Sequence, residues 1–182
     1  MHTSAISVIV PSIGRPSLAA TLASMQTEPG DEVLVVGDMG DVPLPPATRF
    51  IPSAPGGNWG ATERRIGMRA ARNPWLAFLD DDDVYVPGAR ALMARAAVRP
   101  VPTLFRMMYP NGRQIWDYRQ IQIGNVSTAM ILIPNDPAKL GRWSDRYYCD
   151  FDFLSTMSWS PEEVQWRREV TVLSGIPAGE RP

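Results

Sequence analysis

The sequence predicts an α/β fold with a doubly wound, mainly parallel central sheet and helices on both faces. Short β-branched apolar runs alternate with helical stretches in the first half of the chain, which is the pattern of successive strand–helix–strand units. Polar or acidic residues directly follow three of these runs, at Pro11-Ser12, Gly37-Asp38 and Asp80–Asp83. Because ligands of such sheets bind beyond the carboxyl ends of the strands, these residues are the first candidates for a site.

The first half of the chain contains clear start and stop signals for each element. Pro11 and Gly37-Asp38 close the first two strands, and Pro16 and Pro29-Gly30 bound the first helix. Four strands are expected there, at 6–10, 32–36, 49–51 and 75–79. Three helices are expected, at 18–26, 61–72 and 87–98.

The second half is predicted to depart from this alternation and to carry a small antiparallel hairpin. Asn111-Gly112 lies between two apolar runs, which is a strong signal for a tight hairpin turn. The expected elements are strands at 103–109, 113–118 and 127–133 and a helix at 150–159. The segment 165–168 is expected to be a charged helix with one buried tryptophan, within a C-terminal tail of 161–182 that frays at its end.

Composition is typical of an ordinary globular protein, and the length suits one domain, 1–182. The chain has 182 residues, of which 45% are hydrophobic and 20% are charged, and its net charge is -1. This balance gives little electrostatic support for non-specific nucleic-acid binding.

The sequence argues against an internal disulfide, a Cys/His zinc site and a membrane-targeting segment. Cys149 is the only cysteine and His2 the only histidine, so neither an internal disulfide nor a Cys/His zinc cluster is expected. The N-terminus lacks the pattern of a signal peptide, and no run approaches the roughly 18 apolar residues of a membrane span. We therefore expect no transmembrane segment and a cytoplasmic protein. Nothing in the sequence predicts its oligomeric state.

Four consecutive aspartates, Asp80–Asp83, follow the apolar run WLAFL. One or two aspartates after a strand are commonly solvated turn residues, but four adjacent carboxylates repel one another unless a cation or a set of donors neutralises them. Hard oxygen ligands beside substrate phosphates suit Mg²⁺ or Mn²⁺. A calcium loop of the EF-hand kind is excluded because its sixth position, counted from Asp80, is Tyr85 rather than glycine.

Four segments match a known family pattern in their order and spacing. ISVIVPSIGRPSLAATLASM holds a strand, a Pro-Ser turn and a helix, and DEVLVVGDMGD holds a second strand with an acidic turn. NWGATERRIGMRAARNPWLAFLDDDDVYVPGA carries Asn-x-Gly, Arg-x-x-Gly and DxD elements, and STAMILIPNDPAKLGRWSDRYYCDFDFL ends in Cys-Asp before a helix. Together they resemble glycosyltransferase family 2 on the Rossmann-like GT-A fold, as a short, minimal member. The family's usual Pro-Thr turn and Glu-Asp motif are changed at Ser12 and Cys149.

The resemblance implies that the half at about 5–100 binds a nucleotide-sugar donor. Pro11 and Ser12 would line the pocket of the base, and Asp38 would hydrogen-bond the base or the ribose. Arg64 matches the family arginine that reaches the donor, and its neighbour Arg65 is the alternative.

The resemblance also implies different roles for the four aspartates. Asp80 and Asp82 have the DxD spacing and would hold Mn²⁺ or Mg²⁺, with Asp82 as the main ligand. Asp80 and Asp81 would contact the ribose or the water ligands of the metal. Asp83 is equally suited to capping a turn.

The half at about 101–160 would supply the acceptor side and the catalytic base. Asp150 falls on the aspartate of the Glu-Asp motif, which is the family's general base. Two alternatives stay open: Asp150 caps the helix that begins there, or Asp152 is the base. The residues expected to contact the acceptor are Trp116, Trp143, Tyr147 and Asp152.

The activity that the resemblance implies is metal-dependent transfer of a sugar from a nucleoside-diphosphate sugar, with a UDP-sugar favoured, to a hydroxyl acceptor. Direct displacement with Asp150 as base would invert the anomeric centre. Two rival functions use the same residues. One is a catalytically silent nucleotide- or sugar-binding module, and the other is a metal-dependent nucleotidyltransferase or phosphohydrolase.

Overall fold

The computed structural model describes residues 4–175, which contain nine strands of a single sheet. The end of the predicted C-terminal tail, from Ile176 onward, lies outside the described residues. The strands are β1 (Ile6–Ile13), β2 (Glu32–Asp38), β3 (Thr48–Pro52), β4 (Trp75–Phe78), β5 (Val84–Tyr85), β6 (Thr103–Met108), β7 (Gln114–Ile115), β8 (Ile131–Pro134) and β9 (Gln165–Leu173). The helices are α1 (Leu18–Ala23), α2 (Ala61–Ala70), α3 (Ala89–Ala96) and α4 (Cys149–Ser155), with a 3₁₀ turn at Thr128–Met130 before β8.

The strand order confirms the predicted doubly wound α/β architecture. It is β3-β2-β1-β4-β8-β6-β9-β5, with β7 paired to β6. The neighbouring strands β3, β2, β1 and β4 are all parallel. From β1 the strand order proceeds through β2 to β3 on one side, and the next strand, β4, lies on the opposite side of β1, so the order reverses between β1 and β4. In such sheets this reversal is where ligands bind. The register pairs Ser12 with Gly37 and Ile13 with Asp38, so the carboxyl ends of β1 and β2 are level.

The core forms because the central strands are apolar on both faces. Every residue of β4 is buried, as are the first seven residues of β1, which is expected for parallel strands covered by helices. Gly67 lets α2 lie directly on the sheet, since a Cβ there would meet Ile9 Cγ2 at 2.5 Å. Close packing of α2 on β1 fixes the residues at the start of this helix relative to the strand ends.

The predicted hairpin is present between β6 and β7. Met107 pairs with Ile115 and Met108 with Gln114 in antiparallel register. The turn closes with the Tyr109 N–H donating to the Arg113 carbonyl at 2.8 Å, and Gly112 takes a φ of 80°. This positive φ explains the glycine of the Asn-Gly turn.

One predicted element has the wrong secondary structure. The segment 165–168, expected to be helical, begins strand β9, which pairs parallel with β6 from Thr103 opposite Gln165. The prediction was wrong because the short charged stretch was read without its continuation, Val170–Leu173, whose β-branched residues favour a strand. β9 also pairs antiparallel with the unpredicted two-residue strand β5.

Several boundaries also differ from the prediction. The predicted strand 127–133 opens with a 3₁₀ turn and is a strand only from Ile131 to Pro134. The helix predicted for 150–159 is α4, which ends at Ser155. Within residues 4–175, none of the helices has both the length and the apolar character that crossing a membrane would require.

Candidate functional site

Asp81 connects the turn after β1 to the turn after β4. Its Oδ2 atom accepts hydrogen bonds from Ser12 Oγ and from the Ile13 backbone N–H, both at 3.0 Å, and its Oδ1 atom accepts one from Arg15 Nη1 at 2.9 Å. Asp81 and Ser12 are only 3% and 4% exposed. These two residues, predicted to touch the donor, therefore bind each other across the point where the strand order reverses.

The other three aspartates form a compact acidic group. One carboxylate oxygen from each of Asp80, Asp82 and Asp83 lies within 4.8 Å of the others. Asp80 and Asp82 are both partly exposed, and Asp82 accepts a hydrogen bond from Arg15 Nη1 at 2.9 Å, whereas Asp83 is buried and accepts one from the Gly175 N–H at 2.9 Å. The four consecutive carboxylates thus have different surroundings.

The electrostatics of this acidic group suit a cation. Burial raises the pKa of Asp83 to about 8, and the negative charges of Asp80 and Asp82 act in the same direction, against the Gly175 N–H. A divalent ion would remove the repulsion that these charges exert on one another. Three hard oxygen donors at this spacing fit Mg²⁺ or Mn²⁺.

Of the two candidate arginines, Arg64 is the one that faces the aspartates. It is 3% exposed, and Nη2 donates to the Asp80 carboxylate while Nη1 donates to the Trp59 carbonyl at 2.7 Å. Its guanidinium carbon lies 5.0 Å from the centre of the Trp143 ring. Arg65 instead donates to Asp145 Oδ1 at 2.7 Å.

Gly60, at the end of the Asn-Trp-Gly element, makes room for this arginine. Gly60 has a φ of 79°, and a Cβ there would lie 2.7 Å from Arg64 Nη1 and 3.1 Å from Pro11 Cβ. Both the left-handed backbone and the lack of space require glycine. A residue with a side chain at position 60 would therefore displace the guanidinium of Arg64.

Asp150 lies in the first turn of α4, where its carboxylate is held by the preceding 3₁₀ turn. Oδ2 accepts from Ser127 Oγ at 3.0 Å and from the Thr128 N–H at 3.1 Å, and Oδ1 accepts from Thr128 Oγ1 at 3.0 Å. The N-cap of α4 is Tyr148, so the alternative of Asp150 as the N-cap is wrong.

The negative charge of Asp150 acts on Arg64 of α2. Burial lowers the pKa of Arg64, but the carboxylates of Asp80 and Asp150 outweigh it and the pKa is raised. Arg64 is therefore a permanent cation that contacts Asp80 and is stabilised by the charge of Asp150 as well.

Asp152, the alternative base, is occupied by two partners. Arg146 Nε donates to Oδ2 at 2.6 Å, and Ser144 Oγ donates to the same oxygen. The hydrogen bonds from Arg146 and Ser144 lower the pKa of Asp152 to about 2. A carboxylate with so low a pKa is a poor proton acceptor, which disfavours Asp152 as a base.

The aromatic residues predicted for the acceptor have two different environments. Trp116 and Trp143 are core residues, 3% and 6% exposed; Trp116 packs edge-on against Trp166, and Trp143 stacks on Phe153 with ring centres 4.4 Å apart. Tyr147 is 66% exposed. Only Tyr147 of these three presents its ring to solvent, and the acceptor roles stay predictions.

Solved structures of known proteins share this fold. No family model matches this chain, and no curated protein matches it. S. aureus TarS has a TM-score of 0.66 at 13% identity over 94% of this chain and 37% of that one. TarS 1-349 in complex with UDP has a TM-score of 0.66 at 15% identity, covering 94% of this chain and 60% of that one. TarS 1-349 in complex with UDP-GlcNAc has a TM-score of 0.64 at 15% identity, covering 97% and 60%.

These likenesses show the fold alone. The chain has a mixed α/β, Rossmann-like fold of the GT-A kind. It spans 60% or less of the length of the TarS chains it matches.

Two residues of this site were not found from the sequence. Arg15 lies just after β1, beyond Gly14, and pairs with both Asp81 and Asp82. Ile13, opposite Asp38, is 60% exposed at the same strand end, although isoleucine is usually buried. The rule that sites lie beyond strand ends applies to both positions and was the signal available for finding them.

Proposed function

We propose that this protein transfers a sugar from a nucleoside-diphosphate sugar, with a UDP-sugar favoured, to a hydroxyl group of an acceptor. The observation that carries the proposal is that the buried cation Arg64 binds Asp80 of the acidic group and also lies close enough to Asp150 for that carboxylate to raise its pKa. Asp150 itself is held by three hydrogen bonds. The complexes of TarS with UDP and UDP-GlcNAc support a nucleotide-sugar donor on this fold.

The acidic group would hold Mn²⁺ or Mg²⁺ through Asp82 and Asp80, with Asp83 as a third oxygen ligand. When bound, the ion supplies positive charge that stabilises the departing diphosphate. Arg64 adds a desolvated positive charge at the same place and opposes the rise that burial causes in the pKa of Asp80. Asp81 holds the turns after β1 and β4 in register through Ser12, Ile13 and Arg15.

Asp150 would act as the general base. The acceptor hydroxyl gives its proton to the carboxylate as its oxygen bonds to the anomeric carbon, and the bond from that carbon to the diphosphate oxygen breaks with its electron pair. Ser127 and Thr128 hold the carboxylate in one orientation, so that no reorganisation is needed during the reaction. Direct displacement inverts the anomeric centre.

The test starts from donor binding, because the donor can be identified without the acceptor. We expect UDP-GlcNAc or another UDP-sugar, with Mn²⁺, to raise the melting temperature, and slow release of UDP that chelation stops. Asp150→Asn should keep metal-dependent donor binding and lose at least about a hundredfold in turnover. Asp117→Asn, a matched change at an exposed aspartate paired with Arg113, should leave both unchanged.

Three other results would each change the conclusion. Binding of UDP-sugars without turnover in any acceptor mixture would indicate the catalytically silent binding module. Release of UMP instead of UDP would indicate a nucleotidyltransferase or phosphohydrolase. Near-normal turnover by Asp150→Asn would remove Asp150 as the base.

A further inference from the structure

Three aromatic side chains lie exposed beside one another next to the proposed base. Trp59 is 62% exposed, Tyr147 66% and Tyr148 45%. The ring centres of Trp59 and Tyr147 are 4.9 Å apart at 83°, and those of Tyr147 and Tyr148 are 5.2 Å apart at 72°. Contiguous exposed rings of this size usually mark a binding surface. We call these three residues the aromatic triad.

The backbone that carries the aromatic triad is held by long-range contacts. Asn58 Nδ2 and Arg65 Nη2 each donate to Asp145 Oδ1 at 2.7 Å, which joins the loop of Trp59 to the loop before Tyr147. Trp59 itself has a φ of 58°, a conformation that bulky residues rarely adopt. Rings presented from a constrained backbone lose less conformational entropy when a ligand binds.

The aromatic triad borders the group that would deprotonate the acceptor. Cys149 Sγ lies 3.9 Å from the Trp59 carbonyl oxygen and 3.9 Å from Asp150 Oδ1. The same carbonyl accepts the hydrogen bond from Arg64. Tyr147 precedes Asp150 by three residues. A ligand lying on these rings would therefore be next to both the base and the donor-side arginine.

The surroundings favour an uncharged ligand with both an apolar face and hydroxyl groups. Among residues 4–175, Asp80, Asp81 and Asp82 share two arginine partners, Arg15 and Arg64, and Asp83 and Asp150 form no salt bridge, so a phosphate-bearing acceptor would meet excess negative charge. A pyranose ring has C–H groups on one face that pack against tryptophan and tyrosine, and hydroxyls at its edge.

We propose that the aromatic triad binds the acceptor and that the acceptor is an uncharged glycan whose pyranose ring stacks on Trp59 and Tyr147. The acceptor role rests on the proposed glycosyl transfer, whereas binding of a glycan to the triad does not. The two statements can therefore fail separately.

Trp59 provides a reporter for the experiment. Four other tryptophans, Trp75, Trp116, Trp143 and Trp159, are at most 7% exposed, and Trp166 is half-buried. Iodide should therefore quench Trp59 more than any other tryptophan. The probes are methyl glycosides of glucose, galactose, mannose and N-acetylglucosamine, cellobiose and diacetylchitobiose, with the linear polyol mannitol as the control ligand.

We expect at least one of these glycosides to protect Trp59 from iodide in a saturable way, and mannitol to give no protection. Tyr147→Ala keeps the reporter and should weaken the protection about tenfold. Tyr118→Ala is the matched control, since Tyr118 is 46% exposed and its hydroxyl donates to Gln122 Oε1, and it should behave as the unchanged protein.

The alternatives give different results. Protection by uridine or UDP but by none of the glycosides would overturn the proposal and assign the aromatic triad to the base of the donor. No protection by any probe would also overturn it. UDP-GlcNAc is added in a separate thermal-shift measurement: glycan protection without stabilisation by any UDP-sugar would contradict the proposed transferase and leave the glycan site standing.

Discussion

The donor and acceptor sides of the proposed site are positioned in different ways. On the donor side, Ser12 and Asp38 lie in the last residues of β1 and β2, Asp80–Asp83 follow β4, and the register of the parallel sheet sets their spacing. On the acceptor side, Asp150 and Tyr147 lie in a short helix and a loop, held by contacts to distant residues. Changes on the donor side should therefore disturb folding, and changes on the acceptor side should mainly disturb alignment.

The largest expected effect is that of Asp81→Ala on the donor side. The change leaves the buried Ser12 hydroxyl and the partly buried Ile13 N–H without their acceptor and frees Arg15. An unsatisfied buried donor costs about 1–3 kcal/mol, so we expect a loss of roughly 3 kcal/mol in the free energy of unfolding. Urea denaturation followed by circular dichroism measures it.

Ser12→Ala is the control for that prediction, because it leaves the carboxylate in place and removes one of the same hydrogen bonds, together with the one that Ser12 Oγ accepts from the part-buried Gly14 N–H. It should cost only about 1 kcal/mol. If Asp81→Ala proved no worse than Ser12→Ala, Asp81 would not connect the two turns, and its predicted role as a direct donor ligand would be favoured again.

A smaller effect is expected from Gly60→Ala, at the junction of the two sides. Gly60 and Gly57 have φ values of 79° and 62°, so an alanine at either position costs about 1–2 kcal/mol of stability. A Cβ at Gly60 also crowds Arg64 and Pro11, whereas nothing lies within 4 Å of one at Gly57. Calorimetric titration should therefore show UDP-sugar binding about tenfold weaker for Gly60→Ala and unchanged for Gly57→Ala. Equal binding by both variants would mean that the position of Arg64 does not matter to the donor.

The donor side could largely be predicted from the sequence. Strong local signals, β-branched runs closed by proline, glycine or aspartate, identify β1, β2 and β4, and the parallel arrangement then brings their ends together. The individual partners could not be predicted. Nothing in four identical adjacent residues distinguishes buried Asp81, bonded to Ser12 and Ile13, from open Asp82.

The acceptor side could be predicted much less well. The resemblance marked Asp150, but its partners Ser127 and Thr128 are more than twenty residues away in the sequence. The contact between Trp59 and Tyr147 depends on two loops whose paths follow from tertiary contacts, with no periodic pattern to reveal them. The burial of Trp116 was missed for the same reason: its partner Trp166 lies in β9, which was predicted to be a helix.

The smallest expected effect is a change in the ionisation of Cys149, which lies between the two sides. Burial, with the negative charge of Asp150, raises the pKa of its thiol to about 11. Because the folded state holds this proton more tightly than the unfolded chain, the contribution of Cys149 to the free energy of unfolding is fully present below about pH 8.5 and is lost as the pH rises toward 11.

The reactivity of the Cys149 thiol measures this shift. Thiolate is the reactive form, so a disulfide reagent at pH 8 should modify the native protein slowly and the unfolded protein quickly. Asp150→Asn removes one of the charges and should speed the native reaction, whereas Asp117→Asn should not. An equal rate in both variants would show that the charge of Asp150 does not affect the ionisation of the Cys149 thiol.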